Sequence, residues 1–175
     1  MQNSKIIGKG TWLDKVAYAL IEREKRLNRD TSLIRVESGL GASGIPHIGS
    51  LGDAVRAYGI KLALENMGYS SELIAYSDDM DGLRKVPSGL PDWLNEYIAY
   101  PVCNIPDPFS CHNSYAMHMS GMLLEALDAL DVKYRFQSGH ESYRSGLLVK
   151  EIDTILSNSK VIGEKIAELV GQEKF

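Results

Sequence analysis

The sequence lacks several features that mark particular classes of protein. It has only two cysteines in 175 residues, too few for a disulfide scaffold. No run approaches the roughly 18 apolar residues that suggest a membrane span, and the charged, polar N-terminus is unlike a secretory signal. The formal net charge is −4, which argues against nucleic-acid binding driven by overall charge. We therefore expect a cytoplasmic protein that binds neither membranes nor DNA.

The composition is that of an ordinary folded protein. Hydrophobic residues make up 44% of the chain and charged residues 24%, close to globular averages, and we find no internal repeat or low-complexity tract. An amphipathic helix is predicted over 11–28, with Trp12, Val16 and Leu20 on its apolar face. We treat residues 1–30 as an N-terminal helical segment ahead of the main domain.

Strands and helices are predicted to alternate through the rest of the chain. The strands are predicted over 31–37, 71–77 and 132–137, and the helices over 47–67, 114–130, 141–157 and 161–170. Five of the six prolines fall between 78 and 111, where only 92–97 is predicted to form a short helical turn. The alternation predicts an α/β fold, a parallel sheet with flanking helices and right-handed crossovers.

A glycine-rich turn separates the first predicted strand from the following helix. Five of the 14 residues from 39 to 52 are glycine, and glycine lets the backbone approach a ligand closely. The N–H groups at a helix start favour an anion, and Pro46 suits the first helical turn. An imidazole from His47 can donate a hydrogen bond to a phosphate oxygen that gains charge during a reaction. The competing interpretation is a tight turn with a core histidine.

A group of metal-ligand side chains lies at the end of the proline-rich stretch. Cys111 and His112 are adjacent and His118 is six residues further on, and zinc accepts thiolate, imidazole and carboxylate ligands together. On chemistry alone, Asp107 and Cys103 compete as the fourth ligand. A metal here would stabilise a loop with little regular structure. The competing interpretation is a buried cysteine with surface histidines.

Three segments together resemble one enzyme family. The segment ASGIPHIGS (42–50) resembles the HIGH signature of class I aminoacyl-tRNA synthetases, with Ser50 where the signature has its second histidine. With the acidic segment DDMD (78–81) and the later PDPF (106–109), the chain resembles class I lysyl-tRNA synthetases over about 12–171. This resemblance implies a Rossmann-like fold of the HUP type. Residues 31–175 would form its first half, with a proline-rich insertion at about 80–112.

The resemblance also implies an activity and a set of site residues. The activity is ATP-dependent activation of lysine to lysyl-adenylate, with Mg²⁺, and then transfer to tRNA(Lys). His47 and Ser50 would be catalytic. The turn residues that would bind ATP are Ser43, Gly44, His47, Gly49 and Ser50. The residues that would contact lysine are Gly39, Gly41, Asp78 and Asp79.

Two ligand assignments follow from the same resemblance. The substrate's ammonium groups need carboxylate partners, and the sequence leaves open whether Asp78, Asp79 or Glu37 supplies one. The spacing D-x3-C-H-x5-H resembles a zinc site of this family, which favours Asp107 over Cys103 as the fourth ligand.

Two features of such enzymes are missing from the sequence. We find neither a KMSKS-like segment, whose lysines stabilise the ATP phosphates, nor an anticodon-reading domain, through which tRNA(Lys) would bind. We therefore expect a fragment or a truncated reading frame that cannot complete aminoacylation alone. The alternatives are a nucleotidyltransferase of the HIGH superfamily and a non-catalytic remnant that acts as a binding module.

Overall fold

The computed structural model of the chain describes residues 10–171. The chain divides after Gly139 into two compact units. Among the described residues, no helix is both long enough and apolar enough to cross a lipid bilayer.

The first unit is built on a three-stranded parallel sheet in the order β1-β2-β3, which confirms the predicted α/β fold. The strands are β1 (Ile34–Leu40), β2 (Ser71–Ser77) and β3 (Arg135–Ser138). Leu40 is level with Ser77, and Ser77 is level with Ser138. The carboxyl ends of the three strands therefore lie in a row.

Two long helices cover one face of this sheet. They are α2 (Ile48–Asn66) and α3 (Tyr115–Ala129). Their buried faces pack with the alternate strand residues that point toward them, and the fully buried members are Ala54, Ala57, Leu73, Leu127, Leu40, Ala75 and Leu123. The alanines of α2 have small side chains, so the helix can lie close to the strands without leaving unfilled space between them.

The first helix, α1 (Trp12–Arg26), packs on α2 through a face that matches the predicted one only in part, since Leu20 contacts the buried cluster as predicted. Ala17 and Ile21 are buried, whereas Val16 is 41% exposed. Asp14 lies on the buried side because its carboxylate accepts the N–H of the N-cap residue in a capping box. The buried face of α1 is therefore displaced from the predicted one, and Trp12 is 54% exposed.

Two strands begin later than predicted because other hydrogen bonds occupy N–H groups at their predicted starts. β1 starts at Ile34 rather than at 31, since the N–H of Ser32 donates to the Asp30 carboxylate at 2.9 Å. β3 starts at Arg135 rather than at 132. The N–H of Val132 instead donates to the Leu127 carbonyl at 3.0 Å, at the end of α3.

The proline-rich segment between β2 and α3 has a small core of its own. It contains two short 3₁₀ helices, Asp92–Tyr97, with the predicted bounds, and Val102–Asn104. Its buried hydrophobic residues are Leu83, Leu94, Val102 and Ile105, which pack with Tyr115 and Met119 of α3. The backbone of Leu83 also exchanges hydrogen bonds with Ala99 and Tyr100. The segment is therefore packed in place despite its lack of long regular structure.

The second unit contains α5 (Val149–Ser157) and α6 (Ser159–Val170), while α4 (Gly139–Arg144) spans the division. The prediction of one helix over 141–157 is wrong. The chain turns between α4 and α5 because Gly146 adopts φ 77°, a left-handed conformation that glycine tolerates.

The packing of α2 predicts a contrast between two leucines of that helix. Leu64 is fully buried and Leu62 is 40% exposed. We expect Leu64→Ala to lower the free energy of unfolding by about 2–5 kcal/mol because it leaves a cavity. Leu62→Ala should change it by less than about 1 kcal/mol. Urea unfolding followed by circular dichroism measures both, and equal losses would contradict the described packing.

Candidate functional site

Three polar segments meet the carboxyl ends of the sheet. The glycine turn follows β1, the acidic segment 78–81 follows β2, and Ser138 with Gly139 ends β3. The backbone N–H of Asp78 donates to the Leu40 carbonyl at 3.0 Å, which extends the pairing of β1 and β2 into the loops. Open α/β sheets bind their ligands at this end of the strands.

His47 is the N-cap residue of α2. Pro46 therefore lies just before the helix, and the prediction that it belongs to the first helical turn is wrong. The Nδ1 atom of His47 accepts the N–H of Gly49 at 3.1 Å. In the neutral ring this bond leaves the proton on Nε2. The side chain is exposed, so the interpretation as a core histidine is wrong. The Nε2–H group can therefore donate to a ligand.

The rest of the turn leaves room for a ligand beside this imidazole. Cβ atoms added at Gly41 and Gly44 would meet no heavy atom within 4 Å. Ser43 is half-buried, as is Ser50 in the first turn of α2. No acidic side chain lies in that first turn, so the positive end of the helix dipole is not neutralised there. The turn is suited to an anionic group.

A glycine at the end of β1 lies against an acidic side chain from the next loop. A Cβ on Gly39 would lie only 3.3 Å from Oδ2 of Asp78. Partial burial, with Asp81 and Asp79 nearby, raises the pKa of Asp78. Within residues 10–171, Asp78 forms no ion pair. An ionised Asp78 would therefore be stabilised by a cationic ligand.

Asp79 is engaged within the protein instead. It is 3% exposed, its carboxylate accepts a hydrogen bond from the Ser138 hydroxyl, and its carbonyl accepts the N–H of Cys103 at 2.9 Å. A Cβ on Gly139 would lie 3.2 Å from Oδ1 of Asp79. Ser138 and Gly139 were not predicted as site residues, because their contact with Asp79 joins positions about 60 residues apart. Glu37, the third candidate, is exposed on β1.

Asp107, Cys111, His112 and His118 form one cluster. Their ligand atoms all lie within 4.8 Å of one another. The Cys111 Sγ atom lies 3.4 Å from Asp107 Oδ2, 3.2 Å from His112 Nδ1 and 3.3 Å from His118 Nδ1. Oδ2 of Asp107 lies 3.8 Å from His112 Nδ1, and Oδ1 of Asp107 lies 3.3 Å from His118 Nδ1. Ligand atoms of a tetrahedral zinc ion are separated by about 3.3–3.8 Å, given bonds of about 2.0–2.3 Å, so these residues fit the ion.

Asp107 is held ionised at the centre of this cluster. Burial alone would raise its pKa, but the backbone N–H groups of Phe109, His112 and Cys111 all donate to the carboxylate. These bonds outweigh the burial and hold the pKa of Asp107 well below its usual range. The same bonds bend the loop so that the Cys111 and His112 side chains converge on Asp107.

Cys103 does not join the cluster. Its Sγ atom lies 3.8 Å from Sδ of Met80 and 3.7 Å from the Asn104 side chain. Between Asp107 and Cys103, the structure therefore brings Asp107 to the other three side chains. Gly121 has a supporting role that we did not predict: a Cβ there would lie 3.1 Å from Nε2 of His112. The sequence did contain a signal for this contact, because a glycine within a predicted helix often marks a close approach by another group.

A parallel sheet with a histidine-capped glycine turn at its carboxyl edge defines a Rossmann-like domain of the class I synthetase type. The family described as tRNA synthetases class I (K) matches residues 10–175. The chain therefore belongs to the class I tRNA synthetase family for lysine.

Curated relatives agree with this family. A lysine–tRNA ligase of Cenarchaeum symbiosum is 67% identical over 169 residues, which are 97% of this chain and 32% of that protein. A Roseobacter denitrificans lysine–tRNA ligase is 35% identical over 77% of this chain and 26% of its own length. An Archaeoglobus fulgidus lysine–tRNA ligase is 32% identical over 93% of this chain and 31% of its own length. The chain thus spans about a third of the length of the relatives it matches.

The contact between His47 and Gly49 predicts a contrast between two glycines of α2. A methyl group from Gly49→Ala would lie 2.8 Å from the His47 ring, whereas one from Gly52→Ala enters open space. We expect Gly49→Ala to displace the ring and shift its NMR resonances. Gly52→Ala should leave them unchanged and stabilise the helix by up to about 1 kcal/mol. Unchanged His47 resonances in Gly49→Ala would contradict this geometry.

Proposed function

We propose that this chain supplies the ATP- and lysine-binding part of a lysine–tRNA ligase. The observation that carries the proposal is one arrangement at the sheet edge: an exposed imidazole caps α2 after β1, and the Asp78 carboxylate, which has no ion pair among residues 10–171, follows β2. Family membership supports the same reaction class. The reaction joins the lysine carboxylate to the α-phosphate of ATP with release of pyrophosphate, and then transfers the lysyl group to tRNA(Lys) with release of AMP.

The glycine turn would hold the nucleotide phosphates. Backbone N–H groups at the start of α2 face the anion, and the Nε2–H of His47 donates to an oxygen that gains charge in the transition state. Ser50, one turn along, offers a hydroxyl in place of the second histidine of the HIGH signature. Mg²⁺ bound to the phosphates would neutralise part of their charge when present. The role of this chain is then to bind and orient the phosphates.

Asp78 would bind an ammonium group of lysine. It lies beside Gly39, and nearby carboxylates and partial burial make its negative charge unfavourable until a cation is bound. Asp79 is buried against Ser138, so we assign it the role of holding the loop rather than of direct contact. Gly39 and Gly41 would let the amino acid lie close to the strand end.

The cluster around Asp107 would bind zinc as a structural ion. Four protein ligands close the coordination shell, which is the pattern of structural rather than catalytic zinc. The ion would supply charge and crosslinking that fix the loop before α3. Binding of tRNA(Lys) and a cytoplasmic location belong to the same proposal, and no observation favours a nucleotidyltransferase or a non-catalytic module instead.

If Asp78 binds lysine, Asp78→Asn should stabilise the fold and weaken lysine binding. Because the pKa of Asp78 is raised in the folded state, its ionised form costs stability above the unfolded pKa. Asp78→Asn should therefore raise Tm at pH 7, with the difference lost below about pH 3, where the carboxyl is protonated in both states. Lysine binding, measured by calorimetry with ATP present, should fall at least tenfold while ATP binding is kept.

The control for this variant is Asp92→Asn, which removes an exposed carboxylate from the first 3₁₀ helix. It should change neither Tm nor lysine affinity. Lysine binding by Asp78→Asn equal to that of the unmodified chain would overturn the assignment to Asp78. A chain that binds neither ATP nor lysine at millimolar concentration would overturn the proposed function.

The metal proposal predicts about one zinc per chain after purification in zinc-containing buffer. Cys111→Ser and His118→Ala each remove a ligand and should lower both the zinc content and Tm. Cys103→Ser removes the other cysteine, which lies outside the cluster, and should keep the zinc. Elemental analysis by mass spectrometry measures the content. Full zinc retention in both ligand variants would refute the site.

A further inference from the structure

Tyr115 joins the glycine turn to the start of α3. It is fully buried, and its hydroxyl donates to the backbone carbonyl of Ser43 at 3.2 Å, between residues 72 positions apart. Burial raises the pKa of Tyr115, so the phenol stays protonated and remains a donor.

The same residue is bonded to the loop that carries the metal-ligand cluster. Its backbone N–H donates to the Ile105 carbonyl at 2.8 Å, which closes the loop from 105 to 115. Three ligands of the cluster lie in that loop, and the fourth, His118, lies in the first turn of α3 with its N–H bonded to the Ser114 carbonyl at 3.1 Å. Tyr115 is therefore bonded to the loop that carries three of the ligands, and it lies in the same helical turn as the fourth.

Packing connects the two regions as well. Ala42 of the glycine turn and Tyr115 are members of one buried cluster, with Ala116 and Met119 of α3. Each of these side chains is at most 1% exposed. A close-packed interior transmits small displacements instead of absorbing them. A shift in the first turn of α3 would therefore reach the glycine turn.

We propose that Tyr115 couples the metal-ligand cluster to the glycine turn, so that a bound metal ion strengthens nucleotide binding. Tyr115 is then a positioning residue, and the inference rests on the proposed function. With the ion bound, the ligands on the loop and on α3 are crosslinked and the Ser43 carbonyl is fixed. Without it, the turn samples more conformations, and the nucleotide must bear the cost of ordering them. Coupling of this kind is reciprocal.

The test is a calorimetric titration of ATP into four samples: the unmodified chain and Tyr115→Phe, each with zinc and after chelation. We expect chelation to weaken ATP binding by the unmodified chain at least fivefold, the lower end of typical coupling. Tyr115→Phe with zinc should bind ATP about as weakly as the chelated chain, and chelation should change its affinity less than twofold. The phenyl ring preserves the packing and removes only the hydroxyl.

Tyr134→Phe is the matched control, because the Tyr134 hydroxyl bonds to the Asp128 carboxylate at 2.9 Å, away from the turn. It should behave as the unmodified chain does. Hydrogen exchange then distinguishes local loosening from unfolding. Chelation and Tyr115→Phe should each accelerate exchange in a peptide spanning 41–47 while a peptide spanning β2 (71–77) stays protected.

Three results would overturn the inference. They are equal ATP affinity of the unmodified chain with and without zinc, an undiminished chelation effect in Tyr115→Phe, and unaltered exchange over 41–47. If the unmodified chain binds no ATP in any form, the proposed function fails. The exchange measurement then still decides whether the cluster and the turn are coupled.

Discussion

The parallel register of the three strands is the constraint on which the rest of the site depends. Because Leu40, Ser77 and Ser138 are level, the segments that follow them must share one edge of the sheet. Each segment then has a different task, set by its composition. Glycine after β1 opens space, carboxylates after β2 supply charge, and Ser138 anchors one of those carboxylates. A slip of one residue would turn these side chains to the opposite face of the sheet.

Local signals in the sequence predicted what local interactions determine. The α2 helix and the 3₁₀ helix Asp92–Tyr97 follow from short-range spacing and from residues that start helices, and both were found with nearly the predicted bounds. Two of the differences lie where a polar side chain bonds to the backbone. The Asp30 carboxylate bonds the N–H of Ser32 where β1 was expected to begin, and the Asp14 carboxylate bonds the N–H of Thr11 on the buried side of α1. Both bonds are short-range, yet hydrophobic periodicity does not register them.

The candidate site was predictable in its residue types and less so in its division of labour. The glycine turn, the acidic segment and the four cluster residues could be chosen from chemistry and from family resemblance. The sequence could not predict which of the two aspartates is engaged within the protein, because this depends on the bond from Ser138, some 60 residues beyond Asp79. Asp78 and Asp79 are adjacent and chemically identical, so the sequence does not distinguish them. Their burial differs because of their positions after the end of β2. Asp79 follows the inward alternation of β2, and Asp78 faces the edge beside Gly39.

The proline-rich segment shows how a loop with little regular structure can position a site. Proline and the two short helices satisfy few backbone groups, so the order must come from elsewhere. Four buried side chains give the segment a core shared with α3, and Asp107 gathers three backbone N–H groups at its far end. These N–H groups offset the cost of burying the ionised carboxylate, which would be high without them. The same bonds bring two histidines and a thiol around Asp107, so the carboxylate that orders the loop also gathers the candidate metal ligands.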